Sequence, residues 1–461
     1  MKLTSINPSR NYEVLGEIES STAKEIKEAV ENTRTAFPQW SSMAISERCN
    51  AIQSFVNIAK SQEEELARLI AKETGRPIKS ARSNVSEGIR YFEDYITIAE
   101  KYLAPKVTVE TDKELHKVYL EPWGVIACIC PWNYPFLNVA WQCGQALIAG
   151  NTIVYKNSEE NPLFAEMLSH LIEQSEIPKG VFNVVYGDGN VGDLLVHQDI
   201  NMISFTGSTN VGQQLTKIAA EKFIPIVTEL GGSAPGIVFE DIDIDDKLIE
   251  YIVGMRLTNN GQACDAIKRL IVHESKFEEV VKKICDVIKK KKVGDALNED
   301  TDIGPLIAKR QADLLEAQVQ DAIKKGAKVE VRASKPQDLK GAYYTPTVLT
   351  NVNPTMRVWY EETFGPVLPI IPFKDEAQAI RQANHTEYGL SAHVFTNDKK
   401  RFNRVARQLQ AGSVAQNFAE YWNVNNPFGG YKKSGMGRIN GEYGFEDFTQ
   451  PKLISEEKYS S

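Results

Sequence analysis

A cysteine and a glutamate stand in surroundings that suit covalent chemistry on an electrophilic carbon. Cys264 ends a polar, glycine-containing segment, Asn-Asn-Gly-Gln-Ala-Cys, that follows a helical pattern. A thiol in such a turn is accessible to a substrate and can attack its carbon atom. Glu229 ends an apolar run before Leu-Gly-Gly, and apolar surroundings raise the pKa of a carboxylate into the range that suits proton transfer near neutral pH. The sequence thus predicts a nucleophile and a general base, although Glu229 also fits a surface or helix-capping acid.

The remaining cysteines lie in apolar or helical contexts, where a thiol is inert. They are Cys49, Cys128, Cys130, Cys143 and Cys285. Their irregular spacing predicts neither a disulfide framework nor a zinc site, and we expect no metal. No histidine stands where it would form a Cys–His pair, which argues against a cysteine protease or acyltransferase. Reduced thiols in a chain of this length predict a cytoplasmic protein.

Two glycine-containing loops are candidates for holding the phosphates of a dinucleotide. Residues 187–192 read Gly-Asp-Gly-Asn-Val-Gly between a strand pattern and a helix pattern, but no acidic residue ends a strand about 20 residues later. At that distance lies a second strand–helix loop, residues 205–212. Its Gly207, the Ser208 hydroxyl and the helix N-terminal amides could bind a pyrophosphate. The residues alone do not decide which of the two loops binds the phosphates, and each loop also fits an ordinary strand–helix turn.

Composition and charge narrow the class of protein. The 461 residues carry 53 Lys and Arg against 61 Asp and Glu, a net charge of −8, which argues against a nucleic-acid partner. At 42% hydrophobic and 25% charged residues, the chain is typical of globular proteins. Residues 122–155 contain no charged side chain, but Pro131 and Pro135 interrupt them, so a buried strand, loop and helix fit better than a membrane span. The polar residues near Met1 predict no signal peptide.

Strand and helix patterns alternate through most of the chain. The first third reads as three helices, at about 22–37, 46–74 and 80–102, the first opened by a capping box at Thr22 and Glu25. Apolar strands follow at 124–130, 152–155, 182–186 and 202–206, separated by helical stretches near 138–149, 162–176 and 191–198. A second series spans about 232–438, with strands at 269–273 and 367–372. This alternation predicts two α/β domains built on parallel sheets.

A series of motifs between Pro131 and Gly437 carries a resemblance to a known family. In order, they are Pro131-Trp-Asn-Tyr-Pro135, Lys156-Asn-Ser-Glu159, Phe205-Thr-Gly-Ser-Thr209, Glu229-Leu-Gly-Gly232, Gly261-Gln-Ala-Cys264, Glu361-Glu-Thr-Phe-Gly-Pro366, and Pro427-Phe-Gly-Gly430 with Lys433-Ser-Gly435. Together they resemble the aldehyde dehydrogenase superfamily, whose members oxidise aldehydes to acids with NAD(P). The length and the stretch 261–269 are most similar to the short bacterial succinate-semialdehyde dehydrogenase branch.

The resemblance implies a covalent mechanism for these residues. The Cys264 thiolate adds to the aldehyde carbon, and the Asn133 side-chain amide and the Cys264 N–H hold the oxyanion. Loss of hydride to the nicotinamide leaves a thioester, which a water activated by Glu229 hydrolyses. A glutamate at 229 favours hydrolysis, because relatives that transfer the acyl group to coenzyme A are expected to lack it.

The resemblance also implies a cofactor site. The pyrophosphate is assigned to the loop with Gly207 and Ser208, and the adenosine ribose to Lys156 and Glu159. Glu159 would accept both ribose hydroxyls and repel a 2′-phosphate, which favours NAD over NADP, although Ser158 keeps NADP open. Gln311, Glu362 and Phe364 are expected at the nicotinamide and its ribose, and Gly189 at the border of the adenine site. The remaining predicted cofactor contacts are Trp132, Phe205 and Leu230.

By the same resemblance the fold is an α/β aldehyde dehydrogenase fold with three parts. A Rossmann-type nucleotide-binding domain covers 1–105 and 123–231, and an α/β catalytic domain covers 232–438. A small β element for oligomerisation joins 106–122 to 439–461, a tail that contains Phe448, Leu453 and Ile454. Because such a tail adds a strand to a neighbour's sheet in the family, we expect a homodimer or homotetramer.

The substrate prediction depends on the pocket. The positions where relatives hold arginine are Trp141 and Thr258 here, which disfavours an anionic aldehyde. The predicted pocket residues are Tyr134, Trp141, Asp265, Tyr421, Trp422 and Phe428. An aromatic lining suits neutral or aromatic aldehydes, and with Asp265, aided by Asp94 or Glu420, it also suits a cationic aldehyde through cation–π contact. Succinate semialdehyde is the alternative, if Lys268 or Arg269 reaches its carboxylate.

Two positions depart from the family pattern. Gln142 and Ile439 replace a lysine and a glutamate that belong to a proton path in relatives. Deacylation is therefore hypothesised to depend on water alone, and restoring both residues without a faster thioester hydrolysis would refute this. A non-catalytic structural or binding protein on the same fold is the rival of another class. A thiol esterase is the second rival. It would hydrolyse esters without a cofactor, so the predicted cofactor residues would have no role.

Overall fold

The computed structural model describes residues 2–458 and begins with a hairpin that the sequence patterns did not predict. Lys2–Asn7 pairs antiparallel with Glu13–Glu19. The buried Ser5 donates from Oγ to Glu73 Oε1 at 2.6 Å, and Glu73 also accepts from the backbone N–H groups of Leu163 and Phe164 at 2.9 Å. The hairpin is thus fixed by contacts distant in sequence, which a local pattern does not report.

Four helices follow, where the sequence predicted three. They are Ala23–Ser42, Ile45–Ser61, Glu63–Thr74 and Ile78–Leu103. The capping box at Thr22 and Glu25 is confirmed, with each side chain bonded to the backbone N–H of the other residue. The predicted helix over 46–74 breaks at Gln62. Three glutamates after this break favour a new helix start, because carboxylates stabilise the positive end of the helix dipole.

A six-stranded sheet carries the predicted strand–helix alternation. Its order is Gly435–Met436, Ile226–Glu229, Met202–Thr206, Val125–Ile129, Thr152–Lys156 and Phe182–Val185, and only the first strand is antiparallel. Between and after the strands lie the helices Pro135–Val139, Gln145–Ile148, Pro162–Glu173, Gly189–Val196 and Thr209–Lys222, with a π-helical segment at Ala140–Gly144. Alternate residues of the central strands enter two different hydrophobic cores. Both faces of the sheet are therefore covered, as continuous apolar strands require.

A seven-stranded sheet follows in the C-terminal half. Its order is Lys328–Arg332, Thr347–Thr350, Val367–Phe373, Ile267–His273, Ala234–Val238, Ser391–Phe395 and Ser413–Gln416. Only the first pair is antiparallel. Its helices are Asp246–Leu257, Phe277–Lys290, Lys309–Lys324, Arg357–Tyr360, Glu376–Asn384 and Lys399–Ala406, and Gly441–Asp447 follows later in the chain. The α/β class with parallel sheets is confirmed.

Two strand pairings lie at the predicted domain limits. Gly435–Met436, within the predicted catalytic domain 232–438, pairs with Ile226–Glu229 of the six-stranded sheet. Glu114–Pro122 forms a three-stranded sheet with Thr449–Glu457 and Lys106–Glu110. The division into 1–105 with 123–231, 232–438, and 106–122 with 439–461 stays a prediction.

The three-stranded sheet presents apolar side chains to solvent. Val107 is 53% exposed and Leu453 is 60% exposed. Exposed strands with apolar residues favour pairing with another chain. Association of subunits through this sheet stays a prediction, and a monomeric molar mass from light scattering would contradict it.

Among residues 2–458, no helix combines the length and the apolar character that a membrane crossing needs.

Candidate active site

The candidate nucleophile, base and oxyanion donor line one cavity of about 330 Å³. Glu229 ends one parallel strand and Asn133 follows another, Val125–Ile129, so both lie at the carboxyl edge of the six-stranded sheet. Crevices at this edge are where open α/β sheets bind ligands. Cys264 reaches the same cavity from the segment that precedes Ile267–His273. The structure thus brings together three residues separated by up to 131 positions in the sequence (264 − 133).

The segment before Cys264 adopts a left-handed backbone. Asn259, Asn260 and Gly261 have φ values of 48°, 58° and 79°. Asparagine tolerates this region, and Gly261 is required because a Cβ there would lie 2.4 Å from the carbonyl carbon of Gly365. The Asn260 amide donates to the carbonyls of Gly75 and Pro305 at 3.0 and 2.8 Å. Contacts from distant segments therefore hold the turn that presents the thiol.

The side chains of Cys264 and Glu229 both have pKa values above their ordinary range. Burial raises the pKa of the Cys264 thiol well above its ordinary value; Asp265 adds to this effect and Lys268 opposes it. Burial likewise raises the pKa of Glu229. Neither carboxyl oxygen of Glu229 has a hydrogen-bond partner among the described residues. An unpartnered carboxyl facing the nucleophile's cavity suits a group that takes a proton from water.

Asn133 is held in place by residues that the sequence patterns did not single out. Its amide nitrogen donates to Gln262 O at 3.1 Å, which leaves its second hydrogen for an oxyanion. Its backbone carbonyl accepts from Arg76 Nη1 at 2.7 Å and from Asn259 Nδ2 at 2.8 Å. Arg76 also lies 4.1 Å from the ring centroid of Tyr134. No local sequence pattern singles out Arg76.

A second cavity of about 300 Å³ adjoins the first, and Trp132, Gly207 and Ser208 line both. Ser208 caps the helix Thr209–Lys222, so the free N–H groups of that helix are available for a phosphate. Gly207 has no room for a Cβ, which would lie 2.4 Å from the Phe205 ring, whereas space around Gly189 is open. The loop at 205–212 therefore presents a helix N-terminus to this cavity, and the loop at 187–192 contributes its rim.

The predicted ribose residues lie in the same second cavity. Lys156, Ser158 and Glu159 line it together with Phe205 and Gly189. Lys156 is buried, whereas Glu159 is exposed, and 3.7 Å separate Lys156 Nζ from Glu159 Oε2. An exposed acceptor beside a buried lysine fits the hydroxyls of a ribose. These residues therefore fit the adenosine half of a dinucleotide.

The family comparison agrees with this geometry. Residues 1–454 match the model described as the aldehyde dehydrogenase family. The chain belongs to this family. Its members use NAD or NADP, so the predictions of an enzyme and of an NAD(P)-dependent aldehyde oxidation are confirmed.

Individual relatives of this aldehyde dehydrogenase differ in the substrates that their names give. It is 36% identical over 451 residues to the NADP(+) succinate-semialdehyde dehydrogenase GabD of Escherichia coli, covering 97% of this chain and 93% of that one. It is 35% identical over 471 residues to aminoaldehyde dehydrogenase 1 of Pisum sativum, covering 100% and 93%. The crystal structure of Staphylococcus aureus betaine aldehyde dehydrogenase in complex with NAD+ superimposes with a TM-score of 0.93 at 32% identity, covering 99% and 91%.

The predicted nicotinamide residues of the aldehyde dehydrogenase line the cavity of the nucleophile. Trp132 and Phe364 meet edge to face, with ring centroids 5.8 Å apart. Gln311 Nε2 donates to Phe364 O at 3.2 Å, and Glu362 accepts from Gly232 N at 3.1 Å. The set at this end consists of Trp132, Leu230, Gln311, Glu362 and Phe364. The cofactor predictions thus fall into two connected spaces, one for each half of a dinucleotide.

Three of the six predicted pocket residues line the cavity. Tyr134, Trp141 and Phe428 form its aromatic wall, whereas Asp265, Tyr421 and Trp422 do not line it. The Asp265 carboxylate accepts from the Tyr421 hydroxyl at 2.9 Å and from Trp422 Nε1 at 2.7 Å. Asp265 therefore does not face the substrate space directly. Its neighbour in sequence is the nucleophile, but its charge is used to fix the aromatic residues behind the wall.

Trp422 supports the wall from behind by stacking. Its ring centroid lies 4.6 Å from that of Trp141 and 4.0 Å from that of Phe428. Asp265 thus acts on the cavity indirectly, through the position of Trp422. The acids Asp94 and Glu420 do not line the cavity either.

Arg269 and Lys268, the two candidate partners for a substrate carboxylate, do not point into the cavity. Arg269 is fully buried and donates to the backbone carbonyls of Ser233, Gln382 and Ala383. Lys268 is bound to Glu362 and to two backbone carbonyls. Neither residue lines the cavity, so neither provides the cation that an anionic aldehyde needs.

Gln142 and Ile439, the two departures from the family pattern, both line the cavity. Gln142 accepts a hydrogen bond from Ser204 Oγ, and its amide nitrogen has no partner among the described residues. Ile439 is 1% exposed and carries no titratable group. Neither position therefore carries a titratable side chain that could relay a proton between Glu229 and solvent. The hypothesis that deacylation depends on water alone stays a prediction.

Proposed function

We propose that this aldehyde dehydrogenase oxidises a neutral, aromatic or cationic aldehyde to its acid through a thiohemiacetal and thioester on Cys264. One observation carries the substrate class: among the described residues lining the cavity of Cys264, none is lysine or arginine. The ionisable carboxyls there are Glu229 and Glu362, and the walls are aromatic. Burying a carboxylate without a partner costs several kcal/mol, and acidic neighbours increase the cost.

Each catalytic role follows from the chemistry of a side chain. The Cys264 thiol must lose its proton to attack the aldehyde, and the Asn133 amide donates to the resulting oxyanion. Bound NAD(P) supplies the hydride acceptor. Glu229, in its ionised form, removes a proton from the water that attacks the thioester. Trp132 and Phe364 form one side of this space.

The aldehyde preference is tested with pairs of substrates of equal chain length. We expect kcat/KM for butanal to exceed that for succinate semialdehyde by at least about tenfold, or about 1.4 kcal/mol, because only the second carries an unpaired carboxylate. Benzaldehyde and 4-aminobutanal should also be oxidised. Initial rates of NADH formation give the ratios.

A single substitution provides the matched control for this preference. Trp141→Arg places a cation in the wall and should raise the relative efficiency with succinate semialdehyde, whereas Trp141→Leu should not. The similarity to the Escherichia coli succinate-semialdehyde dehydrogenase supports the alternative substrate. A wild-type ratio that favours succinate semialdehyde would overturn the pocket argument and support that alternative.

The proposed cofactor preference is NAD, and it depends on Glu159. A 2′-phosphate at the adenosine ribose would approach the Glu159 carboxylate, and like charges in contact repel. We expect Glu159→Gln to raise kcat/KM with NADP by about tenfold relative to that with NAD, since a repulsion of about 1.4 kcal/mol is removed. Steady-state kinetics with both cofactors measure the ratio. An unchanged ratio would mean that Glu159 does not select the cofactor.

A further inference from the structure

Lys268 joins three functional segments of the active site. Its side chain is 1% exposed. Its ammonium donates to Gly232 O at 2.8 Å, to Cys264 O at 2.9 Å and to the Glu362 carboxylate. An ammonium group has three N–H donors, so each of its hydrogens has an acceptor. One side chain therefore contacts the nucleophile segment, the segment that follows the base, and the carboxylate at the nicotinamide end.

Glu362 is held in this position from a second side. Gly232 N donates to Glu362 Oε1 at 3.1 Å. A Cβ on Gly231 would lie 2.6 Å from Glu362 Oε2, so the carboxylate packs directly against the backbone. With Lys268 removed, Glu362 would keep this backbone bond but lose its only salt-bridge partner among the described residues. An unpaired carboxylate at this depth would shift toward solvent.

We propose that Lys268 is a positioning residue that fixes the backbone of Cys264 and the carboxylate of Glu362 relative to each other, and that its positive charge, bound to the Cys264 carbonyl, acts on the thiol of the same residue. This rests on the proposed function, which makes Cys264 the nucleophile and Glu362 a cofactor contact. A cation near a thiol favours the thiolate. Lys268 therefore affects the reactivity of Cys264 and the affinity for NAD through one ammonium group.

Arg269 offers a matched control on the same strand. It is also fully buried and also donates to backbone carbonyls, but its partners are Ser233, Gln382 and Ala383. Replacing either residue with methionine removes a buried cation of similar size. Only the Lys268 variant loses contacts to Cys264 and Glu362.

The first test is alkylation of the free enzyme by iodoacetamide as a function of pH. Cys264 is partly exposed and the other five cysteines are buried, and Cys264→Ala gives the background. We expect Lys268→Met to move the alkylation midpoint up by about one pH unit, which corresponds to losing one nearby charge. Arg269→Met should leave the midpoint unchanged. Equal midpoints in wild type and Lys268→Met would overturn the charge role.

The second test is NAD binding measured by calorimetry. We expect Lys268→Met to weaken binding about tenfold in the wild-type background, but less than twofold when Glu362→Gln is already present, because both changes break the same contact. If Lys268→Met does not fold, Lys268→Arg keeps the alkylation midpoint while weakening NAD binding. Additive effects of the two substitutions would overturn the positioning role. Activity in Cys264→Ala would instead refute the proposed function itself, so the two failures are distinguishable.

Discussion

Cys264→Ala is expected to lower the turnover of aldehyde to acid by at least about 10⁴-fold, the size of effect seen when a covalent nucleophile is removed. Without the thiol no thiohemiacetal forms, so there is no tetrahedral carbon from which a hydride can be transferred. Cys264 lines the cavity with Asn133 and Glu229, and the surrounding turn is fixed by Asn260. The measurement is NADH formation at saturating aldehyde, with protein stability recorded in parallel.

A second cysteine provides the control for this experiment. Cys285 is buried in the helix Phe277–Lys290, away from the cavity, so Cys285→Ala should keep full turnover. NAD binding to Cys264→Ala should also persist, because the pyrophosphate loop is untouched. If Cys264→Ala keeps a substantial part of wild-type turnover, a nucleophilic role for this residue is wrong.

Glu229→Gln is expected to lower steady-state turnover by about 10³-fold while leaving the first turnover intact. Glutamine has the same shape but cannot accept a proton, so water would not be activated and the thioester would accumulate. The direct readout is a burst of NADH, one equivalent per active site, followed by a slow phase. Hydroxylamine attacks a thioester without a general base and should restore release of the acyl group. Loss of the burst itself would place Glu229 in an earlier step.

The same residue sets an expected pH dependence. Because burial raises the pKa of Glu229, the carboxyl holds its proton to higher pH than an ordinary glutamate. The base is active only when ionised, so thioester hydrolysis should rise with pH through that raised pKa. In Glu229→Gln the slow phase should lose this dependence. The burst rate should keep its own rise with pH, since burial also raises the pKa of Cys264.

Much of the candidate site was visible in the sequence because its residues have distinctive local contexts. Glu229 at a strand end before two glycines, Cys264 after a polar turn, and Ser208 before a helix each follow from rules about neighbouring residues. The parallel strands were visible for the same reason, since strands buried on both faces are continuous apolar runs. The structure places these residues along two adjoining cavities.

The predicted pocket residues that do not line the cavity differ from the others in the direction of their side chains. Asp265 follows the nucleophile in sequence, but its carboxylate is bound by Tyr421 and Trp422 behind the wall. Lys268 and Arg269 are equal candidates for a substrate cation in the sequence, yet neither lines the cavity, because the donors of each are bonded to carboxylate or carbonyl acceptors of the protein itself. Nothing local distinguishes these outcomes, because the partners lie up to 157 residues away.

The sequence by itself determined the family, the α/β class, and the identities of the candidate nucleophile, base and cofactor contacts. Only the tertiary structure decided which charged residues line the cavity, that Arg76 binds the Asn133 carbonyl, and that the N-terminal hairpin contacts Glu73. The physical reason is that the spacing of apolar residues and the residue types that form turns are set by neighbours in the sequence, and can therefore be recognised there. A buried charge, in contrast, must find its partner in the packed interior, and that partner is chosen by the whole fold.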